Sequence, residues 1–414
     1  MEKRRVVITG IGVVAPNGIG IDNFWDSLVH GRSGIKEISQ FDVSLYPSKI
    51  GGGVEEFDPT IYINFKNARR MDRFSQFGVV CSKMALMDSN IDLEQIEQNS
   101  MGVAVGSSVG GNPQAEEQYA IFLEKGLNRV NPLLCTRFFI GSCMNNICIE
   151  LGIHGPCFSI STGCATGGDN IGLAFNMIRE GRVDLMLAGA AETPLSPLTF
   201  GSFCIIGILS TKNDPPHQTP KPFDKYRDGI VLSEGGAVLI LEEFDHALNR
   251  GAPIYAEIIG FSTTHDAYHL TQPAPDGQQA ERAIRIALSD ANVQPEEIDY
   301  ICAHGSGTIL NDTIETMIVK RIFNARQKSI LISSIESMIG HPLGAAGALK
   351  IAASACAIRY GIVPPTINYE HPDPECDLNY VPNKSIKKDL NVVVCNSFSF
   401  GGKNSVLVLK KFYQ

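Results

Sequence analysis

The chain predicts an α/β fold built twice, because three composite patterns occur in the same order in each half. MALMDSNIDLEQIEQNSMGVAVGSSVGG (84–111) parallels IALSDANVQPEEIDYICAHGSGT (286–308): a helical pattern, an acidic turn, a strand, then a Gly/Ser-rich loop. The segment around Cys164 (Ser159 to Gly168, running into NIGLAFNMIREG) parallels the segment around His341 (Ser334 to Gly344, running into AAGALKIAASACAIRYG). SEGGAVLILEEF (233–244) parallels FGGKNSVLVLKKF (400–412). A repeat with Cys164 and His341 177 residues apart is too long for a solenoid unit and reads as a duplicated domain. β-branched strands alternating with helical patterns place helices over sheets in both halves. The expected division is residues 1–250 and 251–414.

The elements follow from these patterns. VVITGIGVVA opens the first half as a strand, and Pro16 prevents the helix that a dinucleotide-binding fingerprint would need there. The two central copies each join a strand end to a tight turn, then to a helix expected to be amphipathic and closed by Gly181 or Gly361. Folding one half back on the other brings the two helix starts together, so that a cysteine from one faces a histidine from the other. The strands of 233–244 and 400–412 come late in each half.

Composition narrows the class. With 414 residues and 44% hydrophobics, the chain can bury a large core as two similar lobes. No apolar run reaches the roughly 18 residues a membrane span needs. MEKRRVVITG enters a strand directly, without the apolar stretch of a secretory signal, and eleven cysteines without framework spacing suit a reducing cytoplasm. The absence of a C-x-x-C pair argues against structural zinc, and the net charge of −9 against nucleic-acid binding.

Three residues carry chemistry. Cys164 follows Gly163 at a strand-to-helix turn, where unpaired N–H groups and the helix dipole favour a thiolate. His341, at the equivalent start, is expected to have a depressed pKa and to donate from Nε2–H to a developing oxyanion. His304, in Ala303-His304-Gly305-Ser306-Gly307-Thr308, ends the strand IDYICA, where α/β sheets build sites. One cysteine with two histidines fits thioester chemistry: a nucleophile and two oxyanion or enolate stabilisers. Other motifs fail. His265 and His269 stand at i, i+4 but lack the glutamate of H-E-x-x-H and a third ligand. GSSVGG (106–111) lacks the Gly-Lys-Ser/Thr of a phosphate loop.

At these residues the sequence resembles the β-ketoacyl-[acyl-carrier-protein] synthases of the thiolase fold. STGCATG, AHGSGT with NDTIET following, SMIGHPLGAAG and NSFSFGG match the family's signature blocks in order, across essentially the whole chain. AYHLT (267–271), DPECDLNYVP (373–382) and PFDKYRDGIVLSEGGAVLILE are most similar to the ketosynthase alpha subunits of type II polyketide synthases. The fatty-acid branch (the KAS II type) is only slightly further away. The resemblance implies a five-layer αβαβα fold and a decarboxylative Claisen condensation of an acyl thioester with malonyl-carrier, in polyketide or fatty-acid synthesis. It implies that Cys164 is acylated and that His304 and His341 hold the malonyl carbonyl. It further implies an oxyanion hole from the N–H groups of Cys164 and Phe400, and pantetheine contacts from Ser306 and Thr308. Phe400, following Phe398, would gate an acyl pocket lined by Val109. Lys66, Arg69 and Arg70 match the basic face that docks an acidic acyl carrier protein. No metal or cofactor is implied beyond the carrier's phosphopantetheine. The implied assembly is a dimer, either of identical chains or with a chain-length-factor subunit.

The chain departs from the family at three places. Glu336 stands where the family has a lysine, and that lysine's glutamate partner maps to Glu315. Two buried carboxylates cannot both ionise cheaply, so Glu336 is expected to be protonated or to pair with Lys403, itself an unusual charge. Ser399 replaces a glycine of the gate loop. Three further readings compete with a complete condensing enzyme. A partial enzyme, acyltransferase or malonyl decarboxylase, is permitted by Glu336. A non-catalytic subunit is opposed by Cys164. A degradative thiolase would need a second cysteine in the C-terminal Gly-rich loop, which has Phe398 and Phe400 instead, with Cys395 on the preceding strand.

Overall fold

The computed structural model describes residues 3–97, 99–324 and 329–413. The first half supplies β1 (Val6–Ala15), α1 (Arg73–Asp88), β2 (Met101–Gly106), α2 (Ser142–Leu151), β3 (Cys157–Phe158), α3 (Thr166–Arg179), β4 (Leu185–Glu192) and β5 (Gly235–Glu243). The second supplies β6 (Ala256–His265), α4 (Gln278–Asp290), β7 (Tyr300–Cys302), α5 (Ile309–Phe323), β8 (Leu331–Ser333), α6 (Ala346–Tyr360), β9 (Val392–Ser399) and β10 (Lys403–Lys410). Among the described residues these strands lie in the order β8-β7-β9-β10-β6-β1-β5-β4-β2-β3, with Gly18–Ile19 hairpinned onto β1.

Pairing along the sheet is the same from either edge inward. The outermost three strands are parallel (β3, β2, β4 and β8, β7, β9), and the next two on each side are antiparallel. The halves join where β1 pairs antiparallel with β6 over Val6, Val7 and Ile8. Parallel strands must be buried on both faces, and five layers accomplish this. Helices α3 and α6 pack against each other between the half-sheets, α3 on β4 and α6 on β5 and β9. Outside them, α1 with α2 covers the first half-sheet, and α4 with α5 the second. This is the αβαβα arrangement of the thiolase fold.

The central layer explains an unexpected sequence pattern. Helix α6 is buried on every side from Ala346 to Ile358, so it is not amphipathic, as a helix enclosed by two sheets cannot be. Its alanines allow a close crossing. A Cβ on Gly167 would lie 2.6 Å from the Ala348 nitrogen, and one on Gly347 2.7 Å from that of Gly168. The glycines therefore set the approach of the two helices that follow the two site loops.

Candidate active site

Cys164 lies in the turn between Gly163, whose φ of +61° is left-handed, and Ala165, the residue that caps α3. The turn is fixed from within. Asn170, one turn into α3, bonds both the N–H and the carbonyl of Ile160, and Thr166 accepts from the Thr162 N–H and donates to the Gly163 carbonyl. His341 arrives from the other half. Its N–H donates to the Val231 carbonyl at 2.7 Å, and a 3-10 turn (Leu343–Ala345) separates it from α6. His341 Nε2 then lies 3.0 Å from Cys164 Sγ.

The loop of His304 is held by Glu315, whose two oxygens accept the N–H groups of His304 and Gly305, each at 2.9 Å. Asn396 donates to the same carboxylate at 3.0 Å. The imidazoles of His304 and His341 stand edge to face, centroids 5.5 Å apart, and the Phe398 ring also meets His304 edge to face, centroids 5.9 Å apart. Both histidines and Cys164 open onto a cavity of about 330 Å³. Its apolar wall includes Phe203, Ile208, Ile230, Leu343, Phe398 and Phe400; Ser306, Thr308 and Asn311 supply polar groups. Val109 does not reach that lining and packs instead in the apolar cluster around Cys164, while its neighbour Ser108 does reach it. The loop of His265 and His269 also contributes, through Thr271 and Pro273, and each of those histidines accepts an N–H two residues on.

The charge arrangement around Glu336 overturns three expectations. Its partner is Lys350 of α6, Nζ to Oε1 2.8 Å, and not Lys403. Lys403 instead pairs with Asp169 at 3.2 Å and with the Thr263 hydroxyl. Nor does Glu315 confront Glu336, because its oxygens are engaged by the His304 loop. Glu336 is ionised: burial opposes the charge, but His341 and Lys350 outweigh it and hold the carboxyl at about 2.

The same carboxylate corrects the reading of His341. Glu336 Oε2 lies 2.8 Å from Nδ1. Burial pulls the imidazole down, yet the charges of Glu336 and of Cys164 raise it to about 10. The helix-start argument for a depressed value fails because a carboxylate in contact outweighs a dipole at the far side of a 3-10 turn. His304 differs. Burial and the Lys350 ammonium press it well below 6.5, so it is neutral. Lys350 Nζ, 3.0 Å from Nδ1, has only protons to offer and fixes the tautomer with the proton on Nε2.

Two functional groups escaped sequence reasoning. Lys350 is a lone charge in the otherwise apolar GALKIAASA of α6, fully buried, and that isolation was its signal. Glu192, at the end of β4, accepts from the Ser107 hydroxyl and from the N–H groups of Ser108, Val109 and Gly344. It ties a loop of one half to the loop after His341.

The N-terminal domain of the beta-ketoacyl synthases matches residues 3–247, and the C-terminal domain residues 255–370. The chain belongs to the beta-ketoacyl synthase family. It is 42% identical over 413 residues to 3-oxoacyl-[acyl-carrier-protein] synthase 2 of Coxiella burnetii, covering 100% of both chains. It is also 42% identical over 416 residues to the tetracenomycin polyketide synthase ketoacyl synthase alpha subunit of Streptomyces glaucescens, covering 99% of this chain and 97% of that one. Among solved structures, the ishigamide ketosynthase/chain length factor superposes with a TM-score of 0.93 at 34% identity, over 99% of this chain and 100% of that one. A type II polyketide synthase acyl-carrier protein in complex with its ketosynthase bound to the hexaketide gives 0.92 at 36% identity, over 99% and 100%. As a beta-ketoacyl synthase this protein is an acyltransferase, and its reaction is the decarboxylative Claisen condensation of fatty-acid or polyketide synthesis. Among the described residues, no helix is long and apolar enough to cross a membrane.

Proposed function

We propose that Cys164 carries the growing acyl chain and that His341 and His304 act on the malonyl thioester in two different protonation states. The contact between Cys164 Sγ and His341 Nε2, 3.0 Å across the two halves, carries this reading. His341 is already protonated, its Nε2–H facing sulfur and its Nδ1–H facing Glu336, and in the first step sulfur attacks the acyl thioester carbonyl beside that imidazolium. The carrier leaves as a thiolate and is protonated by solvent. His341 retains its proton beside Glu336, so both histidines now present Nε2–H to the cavity. A malonyl thioester oxygen held by these donors accepts negative charge as CO2 departs. The resulting carbanion attacks the acyl carbonyl and expels Cys164 as thiolate, restoring the ion pair with His341. Atoms balance as one carbon–carbon bond formed, one CO2 and one carrier thiol released.

Ser306 and Thr308, whose hydroxyls lie 3.2 Å apart in the cavity wall, are placed to meet the amides of a phosphopantetheine arm. No cofactor beyond that arm is needed for these steps. Lys66, Arg69 and Arg70 are exposed and have no carboxylate partner among the described residues, which suits docking of an acidic acyl carrier protein. The division of labour between 1–250, bearing the nucleophile, and 251–414, bearing His304 and His341, belongs to the same reading. A second subunit is favoured by the free sheet edge at β3, where Phe158 is exposed, and by exposed Tyr119, Phe122 and Leu123. It would be a second copy or a chain-length-factor chain. The test mixes the protein with acyl-carrier and isotope-labelled malonyl-carrier and follows both by intact mass. The expected product is a 3-ketoacyl carrier two carbons longer. Acylation of Cys164 without extension would favour a partial enzyme or one that condenses only beside its partner subunit.

A further inference from the structure

The N–H of Cys164 is the donor nearest the nucleophile, at the start of a buried helix, where a thioester oxygen turning into an oxyanion needs it. In this structure that N–H is taken. It donates to the Ser399 hydroxyl at 2.9 Å. The fit is tight, since a Cβ on Gly163 would lie only 2.2 Å from that oxygen. Ser399 ends β9, and its cross-strand partner is Lys403 at the start of β10. Lys403 reaches the same nucleophile element from the other strand. Its ammonium lies 3.2 Å from Asp169 in the first turn of α3, and Asp169 accepts the Thr162 hydroxyl at 2.8 Å. The hairpin bearing Phe400 is therefore fastened to the nucleophile turn at two points. One contact is neutral and on the oxyanion donor; the other is ionic and beside it.

We propose that Ser399 is a latch on the oxyanion donor, held in register by the Lys403–Asp169 pair, and that the incoming thioester must displace its hydroxyl before Cys164 can be acylated. This rests on the acylation role given above to Cys164. A hydroxyl suits the part. It satisfies a buried donor without adding charge beside the sulfur, and a rotation about its Cα–Cβ bond releases the N–H. The Lys403–Asp169 pair restricts the alternative, in which the whole hairpin swings away. Acyl transfer is thereby linked to the Ser399 rotamer, while Phe398 and Phe400 keep their places in the cavity wall.

The experiment compares two reactions of Cys164 in the full-length protein. Acylation by a simple acyl thioester uses the N–H; alkylation by iodoacetamide builds no oxyanion and does not. Ser399→Ala should raise the ratio of acylation to alkylation rates by about fivefold, the worth of one neutral hydrogen bond. Ser399→Thr, which keeps the hydroxyl but hinders its rotation, should lower the ratio. An unchanged ratio in Ser399→Ala, or a fall in both rates together, would overturn the latch and leave Ser399 as a packing residue. Failure of the wild-type protein to be acylated at Cys164 would overturn the functional reading itself, a result distinguishable from the others because it appears before any substitution.

Discussion

His341 and Glu336 are joined through Nδ1 and Oε2 at 2.8 Å, which leaves Nε2 of the imidazole facing Cys164. Glu336 has Lys350 on its other oxygen, a donor only. In Glu336→Gln, the single amide oxygen would turn to Lys350 and the NH2 group to His341. The imidazole would then stay neutral, with a single proton on Nε2, and would no longer hold a positive charge beside the Cys164 sulfur. Acylation of Cys164 should fall about 10²-fold, the lower end of what a positioned acid–base contributes. Rapid-quench mass spectrometry of the acyl-enzyme measures it, and a loss below threefold would remove Glu336 from the mechanism.

The Glu336–Lys350 pair predicts a reversal experiment. Glu336→Lys alone places two ammonium groups together in a fully buried site, and Lys350→Glu alone does the same with carboxylates. Each should cost about 3–5 kcal/mol, as breaking buried pairs does. The double variant restores opposite charges and should recover most of that loss in urea unfolding. It need not recover activity, because a lysine beside His341 Nδ1 no longer supports the same tautomer. Additive losses in the double variant would show that the two charges do not interact.

Titration of the site gives a signed pH dependence. His341, raised from 6.5 to about 10, holds a proton in the native state that the unfolded chain has released. Its contribution is complete below pH 6.5 and is lost as pH rises through about 10. His304 runs the other way: it stays neutral when folded, so its contribution is present above 6.5 and is lost as pH falls below that value. Glu336, lowered from 4.5 to about 2, adds stability above 4.5 that disappears as pH falls through 2. Unfolding free energy should therefore decline from pH 6.5 to 9.5 in the wild type and decline less in Glu336→Gln. Equal slopes would mean that His341 does not keep its proton.

Glu192 predicts a structural effect at a distance from the chemistry. Its carboxylate collects one hydroxyl and three backbone N–H groups from both halves. Glu192→Ala leaves those donors unpaired in a fully buried place, at a cost of about 3 kcal/mol or more. Cys164 alkylation should also slow, since Gly344 closes the loop after His341. Retained stability in urea would show that other acceptors replace it.

The sequence announced Cys164, His304 and His341 because each lies in a glycine-flanked loop after a strand, and the duplication supplied the facing geometry. It also exposed the anomaly of Glu336. What it could not supply was the partner. Lys350 sits in a helix whose sequence reads as ordinary packing, and only the crossing of α3 and α6 between two sheets brings its ammonium to Glu336. Lys403 is the cation the sequence offers, because it is an unusual charge in the gate loop. The β9–β10 hairpin turns it instead toward Asp169 in the first turn of α3. The sign of the His341 shift went wrong for the same reason, since a backbone dipole is legible in sequence and a side-chain contact is not. Likewise Ser399 was visible as a substitution, but its bond to the Cys164 N–H depends on the hairpin's final position.

The exposed basic group gives the last prediction. Lys66 lies within the short helix Phe65–Ala68, Arg69 caps its C-terminus and Arg70 follows, and the Arg69 guanidinium lies 5.6 Å from the Phe65 ring centroid. A carrier protein docked by charge should be recognised here, while a small thioester needs only the cavity. Reversing Lys66, Arg69 and Arg70 to glutamate should raise KM for acyl-carrier at least tenfold and leave the rate with a small acyl thioester within twofold. Exposed charges are screened beyond roughly 8 Å at physiological salt, so the wild type should itself lose affinity for the carrier as salt rises, and the variant should not. The two dependences measured side by side separate docking from damage to the fold, because a misfolded variant would lose both substrates at every ionic strength.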